Sequence, residues 1–375
     1  MPRQRNKYLF IAMGPGETSQ ARALATYIAE QGEDVYFGVR QKANLWFIEL
    51  NGTRFKRIFI APTADRFAKI ARRIKPDVIV FCNSKIWEPD EKFHQAPIFP
   101  GAINVCLDSN WLFNKKLYPP KFKFISWADK YFITFPKRVF ENGLKKNGGG
   151  FVIGREMRDK ILPVGFIPSY SLSGAPRGNK ARVRRKYKIK PGEKFIFSYF
   201  SGHGATHRVW AFYNLIKAVD KLISEDKKIK VLYVGRTDDL DPEMLQRPWL
   251  IAPGSIEAGD EFFLTLAASD LVFQHQGLAT LSQAISARVP VIANIAYLKD
   301  KPLPRIHFWE VGPFEKAGVC KILTKSTLTE KVASEIKALL YDKKQINAIK
   351  TRQQKLYESG EKEAYSIIKG LLEKK

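Results

Sequence analysis

The segment PDVIVFCN, residues 76–83, is apolar without alternation from Val78 to Phe81. A strand that is greasy on both faces fits a parallel sheet covered by helices on both sides, and little else. The pattern recurs along the chain. YLFIAMG (8–14) leads into a Gly-Pro-Gly turn and an amphipathic helix carrying Leu24 and Ile28, which stops at Gly32 before the strand DVYFGV. After an irregular stretch from Ile103 to Gly150, the rhythm restarts with KFIFSYFSGHGATHRVW and KIKVLYVGR, and continues through DLVFQ and VPVIANIA. Two doubly wound α/β domains facing a cleft are predicted. Their expected bounds are 1–163 and 164–345, with a helical segment, 346–375, packing back on the first domain. The linker is read from the proline, glycine and serine of DKILPVGFIPSYSLSGAPRGNK.

A chain of 375 residues exceeds what one core usually organises, so two domains also suit its length. The first apolar run, Tyr8 to Met13, is shorter than the core of a signal peptide, and no later run reaches the ~20 residues of a membrane span. A cytoplasmic protein is therefore expected, peripheral at the inner membrane face if it meets a membrane at all. Cys82, Cys106 and Cys320 lack metal-ligand spacing and are expected reduced and buried. The formal net charge of +26 calls for an anionic partner, be it phosphorylated substrates, a membrane face or nucleic acid.

Ligands of doubly wound sheets bind beyond the carboxyl ends of the strands, which selects three loops. MGPGETSQ (13–20) brings Gly14, Gly16 and Ser19 to a helix start, where free N–H groups suit an anion. It lacks the full dinucleotide fingerprint. FSGHGATHR (200–208) offers Ser201, Gly202, His203 and Gly204 in the same setting. FQHQGLATLSQAIS (273–286) turns at Gln274-His275-Gln276-Gly277 and enters a helix with Thr280 and Gln283. Asp239 and Asp241 of RTDDLDPEML form a D-x-D, read as turn and helix capping; no metal is expected.

Over these residues the chain resembles the GT-B glycosyltransferases, in particular the branch of UDP-glycosyltransferases and the peptidoglycan N-acetylglucosaminyltransferase. His275, Gly277 and Thr280 match that branch's H-x-G-x-x-S/T motif, Pro290 its later G-x-P, and Asp300 its sugar-contacting acid. Gln283 stands where the branch has a ribose-binding glutamate, and Lys301-Pro302 where it has a glutamine. The resemblance implies two Rossmann-like domains and a nucleotide-sugar co-substrate, UDP-linked by preference, with no other cofactor. It makes His275, Gly277 and Thr280 the diphosphate holders, and Asp300 a donor-hydroxyl partner.

It also implies inverting, metal-independent transfer, which needs a base on the acceptor hydroxyl. Ser19 stands near the position of the branch's histidine, so the candidates are Glu17, His94 and Asp108. Nine lysines and arginines lie against two acids between Lys115 and Lys146, interleaved with aromatics. That mixture suggests an anionic membrane surface and a polyprenyl-phosphate-linked or other glycan acceptor; nucleic acid is not the expected partner. The rival readings are a sugar-nucleotide 2-epimerase of the same fold and a non-catalytic nucleotide-sugar or nucleic-acid binding protein.

Overall fold

The computed structural model describes residues 5–42, 45, 48, 55–83, 97, 99–109, 119–146, 155–168, 179–200, 206–256, 260–275, 277–296 and 306–375. The chain divides into two compact units: Met1–Ser169 with Glu358–Lys375, and Tyr170–Tyr357.

Unit 1 holds β1 (Lys7–Ala12), β2 (Asp34–Val39), β3 (Arg57–Ile60), β4 (Val78–Cys82), β5 (Ile103–Asp108), β6 (Lys130–Ile133) and β7 (Ile161–Pro163). All pair in parallel, in the order β3-β2-β1-β4-β5-β6-β7. The sheet grows outward in both directions from β1 and β4, so their carboxyl ends flank the point where the winding reverses. Every residue of β4 and β5 is buried, as unbroken apolar strands require. The Pro15–Glu30 helix buries Leu24 and Ile28 against this sheet.

The last helix, Gly360–Leu372, adds Ala364 and Ile368 to the same core. Its Tyr365 hydroxyl donates to Glu33 at 3.1 Å, and its ring meets Tyr27 edge-on. Two glycines permit the approach. Gly165 has φ +100, and a Cβ there would lie 2.7 Å from the Glu358 carbonyl oxygen; one on Gly360 would lie 2.7 Å from that of Gly165. The Phe166 and Gly360 amides close the junction, donating to the Glu358 and Phe166 carbonyls at 2.9 and 2.7 Å.

Unit 2 holds β8 (Lys194–Tyr199), β9 (Ile229–Val234), β10 (Leu250–Gly254), β11 (Leu271–His275), β12 (Val291–Asn294) and β13 (Lys321–Leu323). They too are parallel, in the order β10-β9-β8-β11-β12-β13, with the reversal between β8 and β11. The Thr206–Ser224 and Thr329–Tyr341 helices pack together over one face. Buried Gln353 ties the Lys343–Leu356 helix to this unit, donating to the Val289 and Val319 carbonyls at 2.9 and 3.1 Å.

Two boundaries differ from the sequence reading. Val164, Phe166 and Ile167 are buried in unit 1, so the first domain runs on past Pro163 to Ser169. The segment 346–375 splits between units at Tyr357, because Gln353 anchors its first half to unit 2 and the glycine junction its second half to unit 1.

The stretch from Lys115 to Lys146 lies partly outside the described residues. Its described part is the Pro119–Trp127 helix, β6 and the Lys137–Lys146 helix. Phe122 and Phe124 point into the core, where Phe124 meets Phe81 at 5.2 Å, so these rings are not available to a bilayer. All three cysteines are free and buried. Among the described residues no helix is long and apolar enough to cross a membrane.

Gly360→Ala forces a methyl against two carbonyl oxygens and is expected to destabilise unit 1 by about 2–3 kcal/mol. Urea unfolding, with hydrogen exchange on residues 360–372 as the local readout, checks this.

Candidate functional site

Unit 1 gathers its polar groups at the reversal point of its sheet. The chain leaves β1 through Met13 and Gly14 and enters the Pro15–Glu30 helix with proline at its start. Glu17 turns back over that start: a Cβ on Gly14 would stand 2.6 Å from its Oε2. Asn83, just past β4, donates from Nδ2 to Glu17 Oε1 at 3.0 Å. Asn83 has φ +91, a left-handed conformation that asparagine accepts more readily than most residues. A carboxylate thus already occupies the favourable place at this helix N-terminus. Gly16 and Ser19 lie in the helix itself, beyond the turn.

Asp108 ends β5, the next strand over. It is 4% exposed and sits 3.7 Å from the ammonium of Lys121, itself 2% exposed. The Tyr131 hydroxyl donates to the same Asp108 oxygen, and the Lys121 ammonium lies 5.3 Å from the Tyr131 ring centroid. Burial, then the Glu17 and Asp108 carboxylates, push the Cys82 thiol well above its ordinary value. One thiol therefore senses both candidate carboxylates. Burial and Asp108 do the same to Cys106, against the partial relief of Lys121 and Tyr131. These thiols are inert packing, not nucleophiles.

Unit 2 presents a different helix start at its own reversal point. β8 and β11 are neighbours, with Gln274 opposite Tyr199. At the last residue of β11, His275 is 9% exposed, and its Nδ1 lies 3.3 Å from the Tyr199 carbonyl oxygen. A carbonyl can only accept, so Nδ1 carries a proton and the ring is pinned across the two strand ends. The Gly277 amide turns back to the His275 carbonyl at 2.8 Å, and the Leu278–Ser286 helix begins. Gly277, its N-cap, supplies no side-chain cap, and the first turn carries no acid. A Cβ at Gly277 would sit 3.3 Å from His275 Cε1 and 3.4 Å from Nε2, so glycine lets the imidazole stand against the helix start. Thr280 is buried in the first turn, and Gln283 is buried deeper along the helix.

Beneath this start lie two amides invisible to motif reading. Gln274 Nε2 donates to the Gly277 carbonyl at 3.1 Å, and Asn294 Nδ2 to the Gln274 backbone carbonyl at 2.9 Å. Both residues are 0% exposed, and their side-chain oxygens, Gln274 Oε1 and Asn294 Oδ1, have no partner among the described residues. A polar residue ending an apolar strand is the only sequence signal for them.

The structure therefore brings His275, Gly277 and Thr280 together, and separately Gly14 and Glu17, while Asp108 stands with Lys121 and Tyr131 at the end of β5. His94, Ser201, Gly202, His203, Gly204, Gln276 and Asp300 lie outside the described residues. In the D-x-D string, Asp241 caps a short helix by accepting from the Glu243 amide at 2.9 Å. Sequence reading missed Asn83, Lys121 and Tyr131. Lys121 passed as one more surface cation because nothing local distinguishes it from Lys123, which is exposed.

No family model matches the sequence, and no curated protein matches it. Solved structures do. A glycosyltransferase, SnogD from Streptomyces nogalater, superposes with a TM-score of 0.59 at 13% identity, covering 98% of this chain and 100% of that one. MurG from Acinetobacter baumannii gives 0.61 at 11%, covering 99% and 100%. A UDP-N-acetylglucosamine 2-epimerase gives 0.61 at 16%, covering 96% and 93%. At such identities the likeness is one of fold, and the fold is GT-B.

Removing one member of the buried Asp108–Lys121 pair strands the other. Lys121→Met is expected to cost about 3–5 kcal/mol, and Asp108→Leu combined with Lys121→Met to recover most of that. A double-mutant cycle by urea denaturation measures it.

Proposed function

We propose that this GT-B chain is a glycosyltransferase that takes its sugar from a nucleotide-sugar donor, UDP-linked by preference, held in unit 2. The observation that carries this reading is the start of the Leu278–Ser286 helix at the β8/β11 reversal point. Among the described residues it has no acid in its first turn and no side-chain cap, and His275 stands beside it. Unpaired N–H groups and the positive end of the helix dipole favour a diphosphate there. Thr280 adds a hydroxyl. Gln274 Oε1 and Asn294 Oδ1 offer acceptors to hydroxyl or N–H groups of a ligand or to a bridging water.

In this reading the helix dipole and the imidazole stabilise the leaving diphosphate as the glycosidic bond to it breaks. The acceptor hydroxyl attacks the anomeric carbon from the opposite side and gives up its proton to a carboxylate base. Glu17 is the first choice. The Asn83 amide holds its carboxylate at a strand end, and among the described residues it is in no ion pair, unlike Asp108. The acceptor we assign is a polyprenyl-phosphate-linked or other glycan at an anionic membrane face.

A second reading, a sugar-nucleotide 2-epimerase, draws on the convergence of Glu17 and Asp108 on Cys82 and on the fold likeness to such an enzyme. Epimerisation needs acid and base groups but no acceptor, which separates the two.

The test is a thermal-shift titration with UDP and UDP-N-acetylglucosamine on the wild type and on His275→Ala. At 100 times Kd the ligand stabilises by about 2.7 kcal/mol, and His275→Ala is expected to weaken binding about tenfold or more. No shift at millimolar UDP would sink the donor site. Proton NMR of UDP-N-acetylglucosamine with the enzyme and no acceptor decides the rest: a new 2-epimer signal selects the epimerase.

A further inference from the structure

The amino-terminal edge of unit 2's sheet, the end opposite His275, carries an unusual charge distribution. From Asn179 to Lys194 there are eight lysines and arginines against one acid, Glu193. The Lys343–Leu356 helix has five and no acid. Tyr341, two residues before the second helix, joins the two stretches, and partial burial, then repulsion from Lys180 and, against the pull of Asp270, from Lys194, lower the pKa of the Lys350 ammonium. Lys194 and Lys227 lie over the Tyr341 ring, at 5.4 and 5.5 Å from its centroid. Three carboxylates sit among them: Asp270 pairs with Lys180 at 3.1 Å and Arg184 at 3.3 Å and accepts the Phe195 amide at 2.9 Å, Glu261 pairs with Lys186, and Glu193 accepts the Lys190 amide at 2.6 Å.

Three carboxylates do not neutralise such a cluster. Exposed like charges held this close oppose folding, and nothing in the unit's core requires them. An anionic partner reverses the sign of that interaction. Arg182, Lys343 and Lys350 are exposed. The face offers no aromatic platform for nucleotide bases, since Tyr187 is buried and Tyr341 lies under its lysines. Most of its cations are lysines, which act as point charges on lipid headgroups and lack the forked geometry that reads phosphates or bases bidentately. Leu328 is the one exposed large hydrophobic residue among those described, so no apolar anchor accompanies the charge.

We propose that this face, formed by the Asn179–Lys186 and Lys343–Leu356 helices with Lys194 and Lys227, docks unit 2 on an anionic lipid bilayer by charge alone. The contact is reversible and screened by salt. It lies a strand's length, about 15 Å, from His275, and does not depend on the donor-site reading.

The experiment is co-sedimentation of the full-length protein with phosphatidylglycerol/phosphatidylcholine vesicles. The wild type is compared with Arg182→Glu/Lys343→Glu/Lys350→Glu, and with a unit 1 control, Lys123→Glu/Lys137→Glu/Arg138→Glu. Expected are binding to the anionic vesicles but not to pure phosphatidylcholine, and its loss between about 0.05 and 0.5 M salt. The unit 2 triple should lose at least about tenfold and the control no more than about threefold. An unchanged unit 2 triple, or a larger loss in the control, overturns the proposal. So does tighter binding to a 20-base-pair RNA duplex than to vesicles at equal salt, if the unit 2 triple abolishes it. Thermal unfolding of each variant, and a UDP shift preserved in the unit 2 triple, keep loss of fold and failure of the donor site apart from failure of the bilayer contact.

Discussion

Parallel strand pairing is the constraint from which the rest follows. Parallel neighbours need crossover helices, and helices on both faces leave no solvated surface within the sheet. Polar chemistry is thereby driven to the two ends of the strands. In unit 2 the carboxyl ends carry His275, Gly277 and the buried amides of Gln274 and Asn294, while the amino ends carry Asp270 and its surrounding cations. In unit 1 the carboxyl ends of β1, β4 and β5 carry Glu17, Asn83 and Asp108.

The two reversal points solve the same electrostatic problem in opposite ways. Each is followed by a helix whose first N–H groups lack intrahelical partners. In unit 1 the helix supplies its own anion, Glu17, folded over Gly14 and steadied by Asn83. In unit 2 no side chain among the described residues fills that role, and a pinned imidazole stands alongside.

The buried Asp108–Lys121 pair shows how far local sequence can mislead. A basic, aromatic-rich stretch suggested a surface, and in part it is one, at Lys123, Lys137 and Arg138. Yet Phe122 and Phe124 alternate with those cations so that the rings face the core, and Lys121 follows them inward to meet a carboxylate. Desolvating that ammonium is costly unless Asp108 and Tyr131 receive it, and Asp108 comes from β5, a strand that the local stretch does not contain.

What the sequence determined by itself was the kind of element at each place. Unbroken apolar runs, glycine turns and amphipathic spacing made the two parallel sheets legible, and the His275–Thr280 string was legible as a strand-to-helix turn. These signals are local, fixed by burial on both faces of a strand and by the backbone needs of a tight turn. What only the tertiary structure decided was adjacency. That Tyr199 lies beside His275, Asn83 beside Glu17, and Lys180 beside Asp270 depends on strand order and helix packing between residues dozens of positions apart. The division at Tyr357 is of the same kind, because it rests on Gln353 reaching two carbonyls and on glycines that let one helix settle against Gly165. No short-range pattern encodes such pairings; they exist because the folded chain must satisfy buried polar groups with whatever the topology brings within reach.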